Sequence, residues 1–307
     1  MEVLRFLEGI RTPALDGFFA VVTHLGEETL FILAGLLFFW CIDKKKGYYL
    51  LSVGFVGTLL NQFLKLLCQV PRPWVQDPEL TSVESARAEA TGYSFPSGHS
   101  QTAVGIFGGI ARFCKYNWLL VVCIVICVLV PISRMYLGVH TPLDVGVGAL
   151  MAVVLVFVTY PIVQWATSGK RNMRIFFSGM VLISGLYLVF VLCYPFPADI
   201  DSENLAHGIE NAFKIAGCVL GLWLAFEIDE KYLHFETKGV WWVQILKLVI
   251  GLIPLLAIKS GLKAPLLALL DGSEIAGAVR YFLMTAFAGC VWPWTFQWFR
   301  KLDKKNR

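Results

Sequence analysis

Long apolar runs recur along this chain with short polar interruptions, and their length is the first signal. Runs over 28–42, 47–68, 98–114, 117–134, 142–165, 174–194, 208–228, 240–258 and 276–298 each read as a helix apolar on every side. Several fall short of the roughly 20 residues that a hydrocarbon core demands, so their ends are soft by a few residues. The first 25 residues differ. Val3, Leu4, Phe6, Leu7 and Ile10 are interleaved with Glu2, Arg5, Glu8 and Arg11, and a second short run (Leu15, Phe18, Phe19, Val22) is broken by Asp16 and Gly17. This amphipathic pattern predicts two helices lying in the headgroup region, with a soluble pro-segment as the alternative. The expected fold is all-α, a polytopic transmembrane helical bundle of about nine spans. Its expected divisions are an interfacial segment over 1–27, a helical core over 28–168 and additional C-terminal transmembrane helices over 169–307.

Composition agrees. The 307 residues are 57% hydrophobic and 16% charged, with mean hydropathy +0.67, whereas soluble domains carry about 25% charged residues. A net charge of +4 gives no case for nucleic acid as a partner. The eight cysteines lie in or beside apolar runs without zinc spacing to histidine, and read as small packing residues. The first residues lack the features of a signal peptide, so residue 1 is expected to belong to the mature protein.

Where the charges fall sets an orientation. Lys44-Lys45-Lys46, Arg112/Lys115, Lys170-Arg171/Arg174, Lys231/Lys238 and Arg300-Lys301/Lys304-Lys305/Arg307 follow alternate spans and therefore share one side. The positive-inside rule makes that side the cytoplasm, with the acidic 195–207 loop outside. The expectation is a multi-pass protein of the plasma membrane, N terminus outside and C terminus cytoplasmic. Trp292, Trp294 and Trp298 read as an interfacial aromatic belt, and Glu227 and Lys247 as a pair between neighbouring helices. One long polar connection, 70–96, stands out, since loops of that length are often functional.

Ionisable residues gather at the outer ends of the early spans. Lys65 and Arg72 are seven apart, two helical turns, and are expected to face one way. Pro96-Ser97-Gly98-His99 opens the next span, where free N–H groups and an absent side chain suit an anion. Arg134 closes the fourth span and His140 precedes the fifth, with Thr141-Pro142 as a helix start. Asp144 then falls in the first turn, where its carboxylate is expected to accept from the His140 ring and make it a better nucleophile or base. Tracing the chain puts all three clusters on the outer side. Cations and backbone donors there can hold phosphoryl oxygens; one His can attack phosphorus while the other protonates the leaving alkoxide.

In their order, K-x6-RP, PSGH and SR-x5-H-x3-D resemble the three signature motifs of the type 2 phosphatidic acid phosphatase (PAP2) superfamily. That family includes lipid phosphate phosphatases, bacterial undecaprenyl-diphosphate phosphatases, glucose-6-phosphatases and, more distantly, vanadium haloperoxidases. The resemblance covers roughly 28–165, with no departure inside the motifs. It implies that Lys65, Arg72, Arg134, Ser97 and Gly98 bind phosphate. It further implies that His99 is the general acid, His140 the nucleophile forming a phosphohistidine, and Asp144 its orienting partner, with no metal and no cofactor. The expected function is hydrolysis of a lipid phosphate or diphosphate on the extracytoplasmic side, the substrate arriving from within the bilayer among the membrane lipids. The alternatives are a soluble sugar-phosphate hydrolase, a phosphotransferase, and a non-catalytic protein that binds or transports phospholipid headgroups.

Overall fold

The structure is a computed structural model that describes residues 1–305; Arg307, at the end of the last basic cluster, lies outside them. The described residues are helical, with no strand among them. Among the described residues, seven helical segments are long and apolar enough to cross a membrane: Lys44–Gln76 (continuous as a helix to Cys68), Asn117–Tyr136, Pro142–Ala166, Lys170–Cys193, Ser202–Leu233, Trp241–Gly261 and Ile275–Arg300. Pro13–Gly26 and Glu28–Ile42, bent by 50°, make an eighth if they act as one broken span. The second amphipathic stretch thus runs into the first apolar run, although sequence pattern alone suggested an interfacial helix.

The third expected span, 98–114, is a shorter element. Gly98–Ala103 continues through a π turn, Val104–Gly108, into Gly109–Phe113. At 1.5 Å per residue it is about 24 Å long, less than a hydrocarbon core of about 30 Å. Its far end still meets its neighbours: the Tyr49 ring lies 6.2 Å from Phe113 and 5.3 Å from Tyr160, and Arg112 sits 4.7 Å over Tyr160.

The chain folds as two compact units. The first comprises Met1–Ala34, Tyr49–Pro161 and Phe196–His207. Val22, Ala103 and Val130 form one buried cluster of it, while Val121, Ile124, Val128, Leu150 and Phe157 point outward, as lipid-facing residues must. Thr12 caps Pro13–Thr23 by accepting from the Leu15 N–H, with Pro13 in the first turn. The polar face of Glu2–Gly9, with Arg11 just beyond it, is tied to the 70–96 connection. Arg5 pairs with Asp77 at 2.7 Å, Glu8 accepts from the Thr81 N–H at 2.9 Å, and Arg11 donates to the Thr81 carbonyl at 2.9 Å. Val3, Phe6 and Ile10 stay exposed on the other side. The 70–96 connection is also built, not loose: Ala86 packs with Tyr136, Leu137 and Val139, and the Val83 N–H donates to the Leu137 carbonyl.

The second unit comprises Gly35–Tyr48, Ile162–Pro195 and Gly208–Arg307. Trp40 is fully buried and donates to the Ala288 carbonyl at 2.8 Å. Trp292 departs from the expected belt: it is buried, donates to the Lys247 carbonyl and lies against Gly251, whereas Trp294 and Trp298 are exposed as interfacial residues should be. The Glu227 carboxylate takes Arg174 in a two-pronged pair at 2.7 Å, and Lys247 gives its ammonium to the Trp40 carbonyl under the Phe296 ring. The partner of Lys247 has a local cause. An ammonium buried in an apolar helix takes the nearest unsatisfied acceptor, here a carbonyl of the π turn Phe38–Ile42.

At Gly54 the Phe31 ring occupies the space a Cβ would need. Gly54→Val is therefore expected to lower stability by about 1–3 kcal/mol through overpacking, read as a drop in thermal midpoint in detergent.

Candidate active site

The Lys44–Cys68 helix ends one residue before Gln69, which takes φ +49° and turns the chain out of it. Lys65 lies in the last turn and its ammonium meets the Tyr93 carbonyl. Arg72 lies beyond the helix, at the N-cap of Pro73–Gln76. Helical spacing therefore does not bring Lys65 and Arg72 together; the returning 91–94 segment does. Arg72 donates through Nε to the Gly92 carbonyl at 2.9 Å and through its terminal nitrogens to the Thr91 carbonyl at 2.6 Å and the Val139 carbonyl at 3.1 Å.

The Pro96–His99 turn is pinned from three sides. Asn61 donates to the Pro96 carbonyl at 3.3 Å, the Ser97 N–H donates to the Asp144 carbonyl at 2.9 Å, and the Ser94 N–H to the Val70 carbonyl at 2.8 Å. Ser97 is the N-cap: its Oγ accepts from the Ser100 N–H at 3.4 Å and the Ser100 hydroxyl at 3.0 Å. The Gly98 and His99 N–H groups have no partner among the described residues. Two glycines permit this closeness. A Cβ on Gly148 would stand 2.5 Å from the Ser97 carbonyl oxygen, and one on Gly26 would stand 2.7 Å from that of His99.

Asp144 and Thr141 cap each other. The Thr141 N–H donates to Oδ2 at 2.7 Å, and the Asp144 N–H to the threonine hydroxyl at 3.3 Å. The carboxylate is thus committed, and His140 Nδ1 stands 3.6 Å from it, too far for the direct hydrogen bond that the i, i+4 spacing suggested. Ser94 fills the role instead. Its hydroxyl donates to Asp144 Oδ2 at 2.6 Å and lies 3.4 Å from His140 Nδ1. Sequence reasoning missed Ser94, which is 46 and 50 residues from these partners and belongs to no recognisable spacing.

The other imidazole nitrogen identifies the tautomer. His140 Nε2 lies 3.0 Å from an Arg72 terminal nitrogen. Arginine has no acceptor, so Nε2 carries the lone pair and Nδ1 the proton, which faces the Ser94 and Asp144 oxygens.

Lys65, Arg72 and Arg134 are 8%, 7% and 1% exposed, His140 2% and Asp144 1%. Three cations thus share a nearly closed space with one carboxylate. Arg134 donates to the Thr23 hydroxyl at 2.7 Å, while its buried Nε and the Nε2 of His99 have no partner among the described residues. Burial first, and then the charges of Arg72, Arg134 and Lys65, hold His140 well below the usual imidazole range. All eight residues singled out from sequence (Lys65, Arg72, Ser97, Gly98, His99, Arg134, His140, Asp144) lie in the first unit, linked by these contacts. Beside them, His24, Glu27 and Glu89 bring ligand atoms within 4.8 Å of one another, the cluster among the described residues that could hold a metal ion.

Fold and site define a class: a helical membrane protein in which three buried cations and one buried carboxylate lie with two histidines. The chain belongs to the PAP2 superfamily. The model described as "PAP2 superfamily" matches residues 45–168, and that for the "PAP2 superfamily phosphatase, transmembrane extension" matches residues 213–305. The chain is 28% identical to sphingosine-1-phosphate phosphatase 2 of Mus musculus over 65% of its own length and 56% of the mouse protein, so it spans little more than half of that relative. It is 31% identical to phosphatidylglycerophosphatase B of Bacillus subtilis (strain 168), over 48% of its own length and 75% of the relative. Among solved structures it resembles a transmembrane PAP2 type phosphatidylglycerolphosphate phosphatase from Bacillus subtilis, with 31% identity, a TM-score of 0.44, and 52% and 81% of the two chains covered.

Gly148→Val places a side chain against the Ser97 carbonyl. It is expected to weaken inorganic phosphate binding at least tenfold while the helical circular dichroism is retained.

Proposed function

We propose that the chain is a membrane-embedded phosphatase that hydrolyses a lipid phosphate monoester or diphosphate through a phosphohistidine on His140. The observation that carries this reading is the charge imbalance of the site: three buried cations and one buried carboxylate, with a buried guanidinium nitrogen unpartnered. Buried charge without a counter-ion is costly, so such a hole favours an anion of about two negative charges. The relatives named for sphingosine-1-phosphate and phosphatidylglycerophosphate support a lipid substrate.

The geometry divides the roles. The phosphoryl oxygens take Arg134, Lys65 and the free N–H groups at Gly98 and His99, with Ser97 shaping that turn. Arg72 holds His140 Nε2 when the site is empty and turns one donor to phosphate as substrate arrives, which releases the lone pair. Nε2 then attacks phosphorus, the P–O bond to the lipid breaks, and His99 gives the alkoxide its proton. Asp144, through Ser94, stabilises the positive charge that develops on the imidazole. In the second half His99 takes a proton from water, the resulting hydroxide displaces nitrogen, and inorganic phosphate leaves.

Cations from the chain do the electrostatic work, so release is expected to proceed in the presence of chelator. The site opens on the extracytoplasmic side in this reading, because Arg112 and Lys115 fall at the end of the Gly98–Phe113 segment away from His99. It follows that the N terminus is outside, the C terminus cytoplasmic and the substrate drawn from the outer leaflet of the plasma membrane.

The test is phosphate release by the purified protein over a panel of lipid phosphates, polyprenyl diphosphates and soluble sugar phosphates, with EDTA present. His140→Ala is expected to abolish release and Ser94→Ala to lower kcat about 10–100-fold, the usual cost of losing an orienting partner. Full turnover by the His140 variant would remove the mechanism, and turnover of soluble sugar phosphates alone would remove the lipid assignment.

A further inference from the structure

The rim of the phosphate hole carries charge of the opposite sign. His24 and Glu27 flank the 3-10 turn His24–Gly26, where the histidine Nδ1 contacts the Glu27 carboxylate. Glu89 ends the short helix Glu84–Glu89 on the 70–96 connection. Ligand atoms of all three lie within 4.8 Å of one another although Glu89 comes from a distant part of the chain.

This cluster is tied to the catalytic groups on both sides. Thr23, next to His24, accepts from Arg134, and Gly26 abuts the His99 backbone. Two residues after Glu89, the Thr91 carbonyl accepts from Arg72. The Glu89 and Glu27 carboxylates both act on Arg134. Glu89 has no ion pair among the described residues. Glu27 is already met by His24, so Glu89 is the carboxylate of the cluster left open to a further cation. The adjoining hole has the converse deficit, since Arg134 is 1% exposed and its Nε lacks an acceptor.

A single ligand with both signs a few bonds apart answers both deficits. Building on the phosphatase reading, we propose that His24, Glu27 and Glu89 form a subsite for the ammonium group of an amino-alkyl phosphate lipid, whose phosphate occupies the hole at Arg134. A free divalent metal is the other cation such ligands could take. Three buried cations next door oppose it, whereas a tethered ammonium arrives with a phosphate that neutralises their field. The subsite selects substrate and takes no part in bond breaking.

The experiment compares kcat/KM of the purified full chain on three substrates. Sphingosine-1-phosphate has a free amine, ceramide-1-phosphate has the same amine acylated, and lysophosphatidate carries a hydroxyl there. Each is run with EDTA and, in parallel, with added Mg2+ or Mn2+. The expected result is at least a tenfold preference for the free amine in EDTA, and a fall of that preference by tenfold or more in Glu89→Gln and Glu27→Gln. Glu89 is exposed, so its variant keeps the test decisive if the Glu27 variant does not fold. A preference unchanged within twofold in Glu89→Gln overturns the subsite, as does one that exists only with added metal. Turnover of all three lipids without preference overturns the subsite alone; turnover of none overturns it together with the phosphatase reading.

Discussion

Keeping three cations out of water beside a single carboxylate is the constraint to which the rest of the first unit answers. Isolated, each charge would cost several kcal/mol to bury. The protein spreads that cost over backbone acceptors: Tyr93 for Lys65, Gly92, Thr91 and Val139 for Arg72, and the Thr23 hydroxyl for Arg134. Those acceptors come from the 70–96 connection, the turn before His140 and the N-terminal helices. Segments that look peripheral in sequence are therefore the walls of the hole. The acceptors are dipoles rather than full charges, so a net positive field survives for an anion.

The same economy explains why the catalytic turn is set against bare backbone. Gly148 brings the Pro142–Ala166 helix against the Ser97 carbonyl, and Gly26 brings the His24 turn against His99. A side chain at either place would push the Ser97–His99 backbone out of position. Asp144 is economical in another way. Its backbone carbonyl holds Ser97, one carboxylate oxygen caps its own helix, and the same oxygen orients His140 through Ser94. One residue thus couples the start of one helix to the turn that opens another.

Outside the site, the apolar helices obey a simpler rule. Large side chains face outward where lipid replaces water, and buried polar groups are satisfied within the bundle. In the second unit Lys247 and Trp292 follow it, each held by a main-chain carbonyl, the Trp40 one for the ammonium and the Lys247 one for the indole. The π turn Phe38–Ile42 opens the helical ladder at the point where that lysine needs an acceptor.

Much of this was legible in the chain itself, because hydrophobic length is a local property and an apolar run of 20 residues has few alternatives to a spanning helix. The helix from Pro142 and its Thr141 cap followed from neighbouring residues for the same reason, whereas the reciprocal cap from Asp144 emerged only in the structure. The three motifs marked eight residues, and all eight lie in the first unit. What sequence could not supply were pairings across dozens of residues. The i, i+4 spacing pointed to a direct His140–Asp144 bond, but the first-turn cap already occupies that carboxylate, and Ser94 bridges the gap. The spacing of Lys65 and Arg72 suggested one helix face, but the helix stops at Cys68 and the returning loop joins them. Trp292 and Glu227 found partners that no local pattern announces. Local physics determines which segments become helices and which residue types cluster at their ends; only packing decides which donor meets which acceptor, because a buried polar group takes whatever partner the fold brings within 3 Å.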